Sequence, residues 1–105
     1  MRFAAALVLL ASTLAGCGGV VIDDTEGLSG EELIDQVCSR CHGSDLGGGI
    51  GPALGPGSNA ATNLTDEQIA GVLEVGPGAM PSFKQLSDEQ VAGVVASLRR
   101  SQNGG

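Results

Sequence analysis

Cys38-Ser39-Arg40-Cys41-His42 is the stretch on which the reading of this chain turns. Two thiols and an imidazole at i, i+3 and i+4 fall on one face of a helix. Such a face suits a flat macrocycle: the sulfurs add to two vinyl groups of a porphyrin, and the adjacent imidazole meets the iron from the same side. Other chemistries at this spacing lack support elsewhere in the sequence. A thioredoxin-like redox pair needs a βαβ setting, and no window after residue 28 alternates as a half-buried strand does. A structural zinc site needs four ligands, whereas His42 is the only histidine and the one further cysteine, Cys17, lies far upstream. A plain disulfide leaves His42 unexplained. Cys38, Cys41 and His42 are therefore read as the attachment site of one covalent haem c.

Outward from this motif, one helix-start signature occurs three times: Leu28-Ser29-Gly30-Glu31-Glu32-Leu33, Leu64-Thr65-Asp66-Glu67-Gln68-Ile69 and Leu86-Ser87-Asp88-Glu89-Gln90-Val91. Each has a Ser or Thr N-cap, a Glu or Gln at N3 to close a capping box, and apolar residues at N′ and N4. Acidic residues in the first turns suit the positive end of the helix dipole. The pattern predicts helices beginning near 29, 65 and 87. Their inward faces are Leu33, Ile34, Val37, Cys38 and Cys41; Ile69, Val72 and Leu73; and Val91, Val94, Val95 and Leu98. Arg99 and Arg100 stand where a cation favours the last helix's C-terminus. The fold class is all-α: three main helices joined by Gly/Pro-rich loops at 47–52, 55–57 and 76–78. Those loops let backbone lie close against a bulky group. The run Gly47-Gly48-Gly49-Ile50-Gly51-Pro52 has neither the spacing nor the strand-to-helix setting of a dinucleotide loop. Arg40 reads as a solvated side chain.

Composition points the same way. The chain has 105 residues, no Trp, no Tyr and two Phe, Phe3 and Phe83. One domain is all that this length allows, and a core so poor in aromatics needs a staple or a cofactor. The formal net charge is −7. That charge repels nucleic acid and anionic lipid surfaces; it serves solubility or partners with basic docking patches equally well.

The first sixteen residues read as a segment to be removed. Arg2 supplies a positive start and Phe3 to Ala11 an apolar run too short to span a bilayer. Leu14-Ala15-Gly16-Cys17 resembles the lipobox of bacterial lipoproteins, which implies cleavage before Cys17 and lipidation of its thiol. Two or three acyl chains, at about 0.8 kcal/mol per buried methylene, anchor a protein essentially permanently. Residues 17–28, with Gly18-Gly19 and Asp23-Asp24, read as a tether. Residues 29–102 form the haem domain and 103–105 a short tail.

Residues 29–101 resemble class I c-type cytochromes. Gly30-x-x-Leu33-Ile34-x-x-x-Cys38-x-x-Cys41-His42-Gly43 is similar to that family's N-terminal helix and haem site. Gly51-Pro52-Ala53-Leu54 is similar to its proximal loop, which implies that the Pro52 carbonyl accepts a bond from His42 Nδ1–H and that Pro52 and Leu54 lie against the haem. Gly78-Ala79-Met80-Pro81-Ser82-Phe83 is similar to the strap bearing a distal methionine. Elimination agrees: Met80 is the only methionine beyond Met1, and prolines 77 and 81 hold it on a stiff strap. His42 and Met80 are thus the expected iron ligands. The family's aromatics in the two terminal helices are replaced by Ile34 and Ser97, so the helix crossing rests on small residues such as Gly30, Ala92, Gly93 and Ala96. Lys84, the only lysine, reads as a solvated side chain or as a mark of the haem edge.

The cytochrome resemblance implies a non-enzymatic, monomeric single-electron carrier, and the signal segment with the lipobox implies that it is exported and lipid-anchored in the periplasm or on the outer face of the cytoplasmic membrane. Its expected partners are membrane-bound or periplasmic redox proteins, with no nucleic acid. The alternatives are a permanent haem subunit of an oxidase or dehydrogenase complex, and a ligand-binding or peroxidatic haem protein.

Overall fold

Side-chain caps organise the chain. Ser29 Oγ accepts from Glu32 N–H at 3.1 Å while Glu32 Oε1 accepts from Ser29 N–H at 2.9 Å. Thr65 and Gln68 reciprocate at 3.1 and 2.9 Å, as do Ser87 and Gln90 at 3.0 and 3.0 Å. All three expected helix starts are therefore sealed, each satisfying donors that a helix leaves unpaired.

In this computed structural model, which describes residues 25–104, the chain is helical with no strand among the described residues. The predicted signal segment, Cys17 and most of the tether lie outside the described residues. Five α-helical segments follow in order: α1 (Gly30–Leu33), α2 (Ser39–His42), α3 (Asn59–Asn63), α4 (Asp66–Val75) and α5 (Asp88–Gln102). A π-helical turn, Ile34–Cys38, joins α1 to α2, so residues 30–42 form one continuous rod. The spacing argument expects a plain helix there, and the structure corrects it. Ser39 N–H reaches back to the Ile34 carbonyl, which strips Asp35 O of its usual partner. Ser39 Oγ replaces that partner, donating to Asp35 O at 2.6 Å.

The short α3 is absent from the sequence reading, which has only loop there. Ser58 Oγ caps it, accepting from Ala61 N–H at 3.2 Å. Arg99 on α5 then secures the junction between α3 and α4. It donates to Ala60 O (3.2 Å) and Leu64 O (2.5 Å), pairs with Asp66 (2.8 Å) and bonds Gln102 Oε1 (2.7 Å). Its place near the helix C-terminus is only part of its work.

The rod crosses α5 at its own first turn, where Gly30 is buried against the Gly93 backbone. Around that crossing Leu33, Ile34, Val37, Val94, Val95 and Leu98 close a core with Ile69 and Leu73 of α4. Ser97 and Ile34, which replace the family's aromatics, are both buried. Phe83, the one aromatic among the described residues, is 5% exposed and seals the core from the loop side.

Candidate functional site

Glycine ends the motif helix and turns the chain over it. Gly43 has φ 91°, which a side chain resists, and the loop beyond it folds back on α2. Gly48 N–H donates to His42 O at 2.8 Å and Gly51 N–H to Cys41 O at 2.6 Å. The last carbonyls of the motif helix are thus satisfied by the loop that carries Pro52.

The consequence is a fixed imidazole. His42 Nδ1 lies 2.7 Å from the Pro52 carbonyl oxygen. A carbonyl only accepts, so Nδ1 carries the proton and the Nε2 lone pair is left for a metal. Gly51 packs flat on the same ring: a Cβ there would sit 2.8 Å from His42 Cε1 and 3.0 Å from Nδ1. Leu46 completes this wall in a left-handed conformation, φ 61°, unusual for leucine. Its carbonyl accepts from Leu54 N–H (2.9 Å) and Gly55 N–H (3.1 Å), and its side chain is buried. Those contacts offset the local backbone strain.

The strap carrying Met80 is pinned to the end of α4. Gly76 caps that helix at φ 65°, and a Cβ on it would lie 2.5 Å from Ser82 N. Phe83 N–H donates to Leu73 O at 2.7 Å and Ser82 Oγ to Glu74 O at 2.6 Å. Met80 N–H bonds Pro77 O at 3.1 Å within the strap.

Strap, loop and helices enclose a cleft of ≈ 380 Å³. Cys38, Cys41, His42, Pro52, Leu54 and Met80 all line it, so the structure gathers into one cavity every predicted haem residue within the described range. No Asp, Glu, Lys or Arg side chain is on its walls. A cleft of this size is in the range of small-molecule and cofactor sites. Two sulfurs, an imidazole and a thioether on apolar walls fit an iron porphyrin, whose ring is apolar and whose metal takes such axial ligands. Among the described residues no group of three or more His, Cys, Asp or Glu side chains gathers to hold a bare metal ion.

Burial pushes the Cys38 thiol up to about 11, with a backbone hydrogen bond partly opposing. At neutral pH it is a thiol and a weak nucleophile.

Leu46 and Ile50 line the cleft without a role read from the sequence, and Gly51, quoted there only as part of the proximal loop, lines it too. The Gly-Pro pair marks the loop, but only the folded backbone shows that Gly51 meets the imidazole. Lys84 is exposed and lies outside the cleft, on the wall of a second groove. Cys17, the predicted lipidation site, lies outside the described residues.

Comparison with known proteins agrees with this geometry. The family described as cytochrome c oxidase, cbb3-type, subunit III, matches residues 25–96. The cytochrome c subunit of menaquinol:cytochrome c reductase from Geobacillus thermodenitrificans is 43% identical over 56 residues, spanning 51% of this chain but 20% of that protein. The cytochrome c subunit of 4-cresol dehydrogenase [hydroxylating] from Pseudomonas putida is 32% identical over 96 residues, 87% of this chain and 79% of that one. Among solved structures the c-type cytochrome NirC superposes with a TM-score of 0.56 at 28% identity, covering 71% of this chain and 86% of its own.

Proposed function

This chain belongs to the c-type cytochrome family, and from that premise we propose that it carries single electrons outside the cytoplasm, held to a membrane by lipid on Cys17. Family membership brings with it covalently bound haem c and its iron. In the proposed arrangement Cys38 and Cys41 fasten the porphyrin through thioethers, and His42 and Met80 ligate the iron. When bound, the group supplies a reversible one-electron couple between ferric and ferrous iron.

The chain's own residues do the rest. The Pro52 carbonyl holds the proton on His42 Nδ1, which presents Nε2 in one tautomer. The anchored strap presents a soft thioether, which favours ferrous iron and raises the potential. The uncharged walls keep water away from the metal. With His42 and Met80 both holding the iron, no open coordination site would remain for a substrate, which is the case for electron transfer over catalysis. The observation that carries this reading is the presence of His42, already paired with Pro52, and Met80 in one cleft.

The lipid anchor rests on Leu14-Ala15-Gly16-Cys17. Tethering raises the effective concentration of the carrier near membrane-bound partners. A second reading, a permanent subunit of a redox complex, is favoured by the two relatives named as subunits of a reductase and a dehydrogenase. A shuttle washes free of membranes' protein complexes at high salt, whereas a subunit co-purifies.

The ligand set is tested with carbon monoxide on protein matured in a haem-competent host. The reduced parent should not bind CO at neutral pH, while Met80→Ala should bind it and show a lower potential. Equal CO reactivity and equal potentials in the two would remove Met80 from the iron.

A further inference from the structure

A second groove runs along the outer side of α4 and α5. It is open, about 670 Å³ in volume, and shares Phe83 with the haem cleft as a common wall. The cleft takes Ile69, Leu73, Val94 and Leu98 from these helices; the groove takes Ala70 and Gly71 from α4 and Ala92, Val95 and Ala96 from α5. These side chains are small, and Ala92 and Ala96 are exposed. The result is an apolar trough that another chain's side chains can enter.

Its rim is acidic. Glu67 and Glu74 stand on the α4 side and Asp88 at the start of α5, all three exposed. Asp66 is also on the rim but is engaged by Arg99 at 2.8 Å, and Lys84 is the single cation there. The cleft lining, by contrast, holds no charged side chain. Of these two surfaces it is the groove, not the cleft wall, that carries charge able to attract a basic partner.

We propose that this groove seats a basic segment of a redox partner protein, one whose Lys or Arg side chains flank a ridge of small apolar residues. The charge pattern selects that occupant. A chain of net charge −7 repels a second copy of itself, an anionic lipid surface and nucleic acid alike. A partner seated here is separated from the haem cleft by the Phe83 side chain, and it leaves the exposed Ile50 and Ala79 of the cleft free. The inference rests on family membership but not on the identity of the sixth ligand.

The test uses the full haem-loaded chain in membranes of its host, with the photocrosslinker p-benzoylphenylalanine in place of Ala92. An unchanged visible spectrum and potential certify each variant, so failure of the haem reading shows itself separately. The expected result is an adduct from the Ala92 position to a Lys- or Arg-bearing segment of another redox polypeptide. Its yield at low salt should fall about tenfold with Glu67→Lys/Glu74→Lys and stay within about twofold with Glu26→Lys/Glu31→Lys, which changes net charge equally elsewhere. No adduct from the Ala92 position, an adduct to a second copy of the chain or to a segment without basic residues, or equal losses in both charge variants would overturn the proposal.

Discussion

Gly30 and Gly93 meet backbone to backbone, so closely that a Cβ placed on Gly30 would lie 2.0 Å from the Gly93 carbonyl carbon and 2.3 Å from Val94 N. Where the family sets aromatic side chains between its terminal helices, this chain removes side chains and lets the helices touch. The contact is lopsided: a Cβ on Gly93 would meet Gly30 N and Cα only at 3.2 and 3.3 Å.

That asymmetry ranks two substitutions. Gly30→Ala forces α1 off α5 and should cost about 3 kcal/mol or more, since neither backbone can yield. Gly93→Ala should cost far less, because a shift of a few tenths of an ångström relieves it and alanine's helix propensity returns up to about 1 kcal/mol. Denaturant midpoints of the ferric holoprotein check the order.

A second pair separates site from scaffold. Gly51→Ala presses a methyl group onto the His42 ring and should displace it, altering the potential and the haem-ligand NMR shifts. Gly71→Ala, with nothing within 4 Å of its Cβ position, should raise stability by about 0.4–1 kcal/mol and leave the potential unchanged. Equal potentials in Gly51→Ala and parent would mean that the ring does not feel this loop.

Arg99 supplies a third test. Its pair with Asp66 is exposed on the carboxylate side, at 62%, so Asp66→Asn should cost under about 1 kcal/mol. Arg99→Ala also leaves the Ala60 and Leu64 carbonyls without their donor, and about 2–4 kcal/mol is expected. Calorimetry of the three holoproteins reads the difference.

Cys38 gives a pH dependence with a definite sign. Its thiol is raised from 9.0 to about 11 by burial, so the folded cleft favours the protonated form. The associated stability is fully present below pH 9 and lost as pH rises through about 11. In the haem-free chain, alkylation of Cys38 should therefore be slow at pH 8 and accelerate only towards pH 11. Acceleration centred near 9 would show that the cleft does not persist without the porphyrin. Once the thioether forms, no titratable Cys38 thiol should remain.

What was legible in the sequence follows physical range. The capping boxes at Ser29, Thr65 and Ser87 are local chemistry, three residues across, and each is formed as read. The haem motif is also local, and the Met80 strap carries its own prolines. What stayed hidden depends on pieces distant along the chain. That Gly51 meets His42, that Leu46 turns left-handed to shape the cleft, and that Arg99 spans to Leu64 and Ala60 are facts of packing with no local signature. The α3 helix has a cap at Ser58 but only five residues, Asn59–Asn63, and without the Arg99 clamp so short a helix is marginal. The π turn was hidden for another reason: nothing in Ile34-Asp35-Gln36-Val37-Cys38 distinguishes a five-residue turn from an ordinary one until Ser39 Oγ is seen on Asp35 O.

That turn makes the N-terminal rod two pieces spliced out of phase. An extra residue rotates everything on one side of it by about 100° relative to an unbroken α-helix. Gly30 keeps its appointment with Gly93 and the sulfurs keep theirs with the cleft only because the splice sets the angle between them. Removing a single residue between 34 and 38 would leave the cap, the crossing glycine and the Cys-x-x-Cys-His string all intact on paper. The two ends of the rod would nevertheless face incompatible directions, and the chain would have to forfeit either its helix crossing or its cofactor.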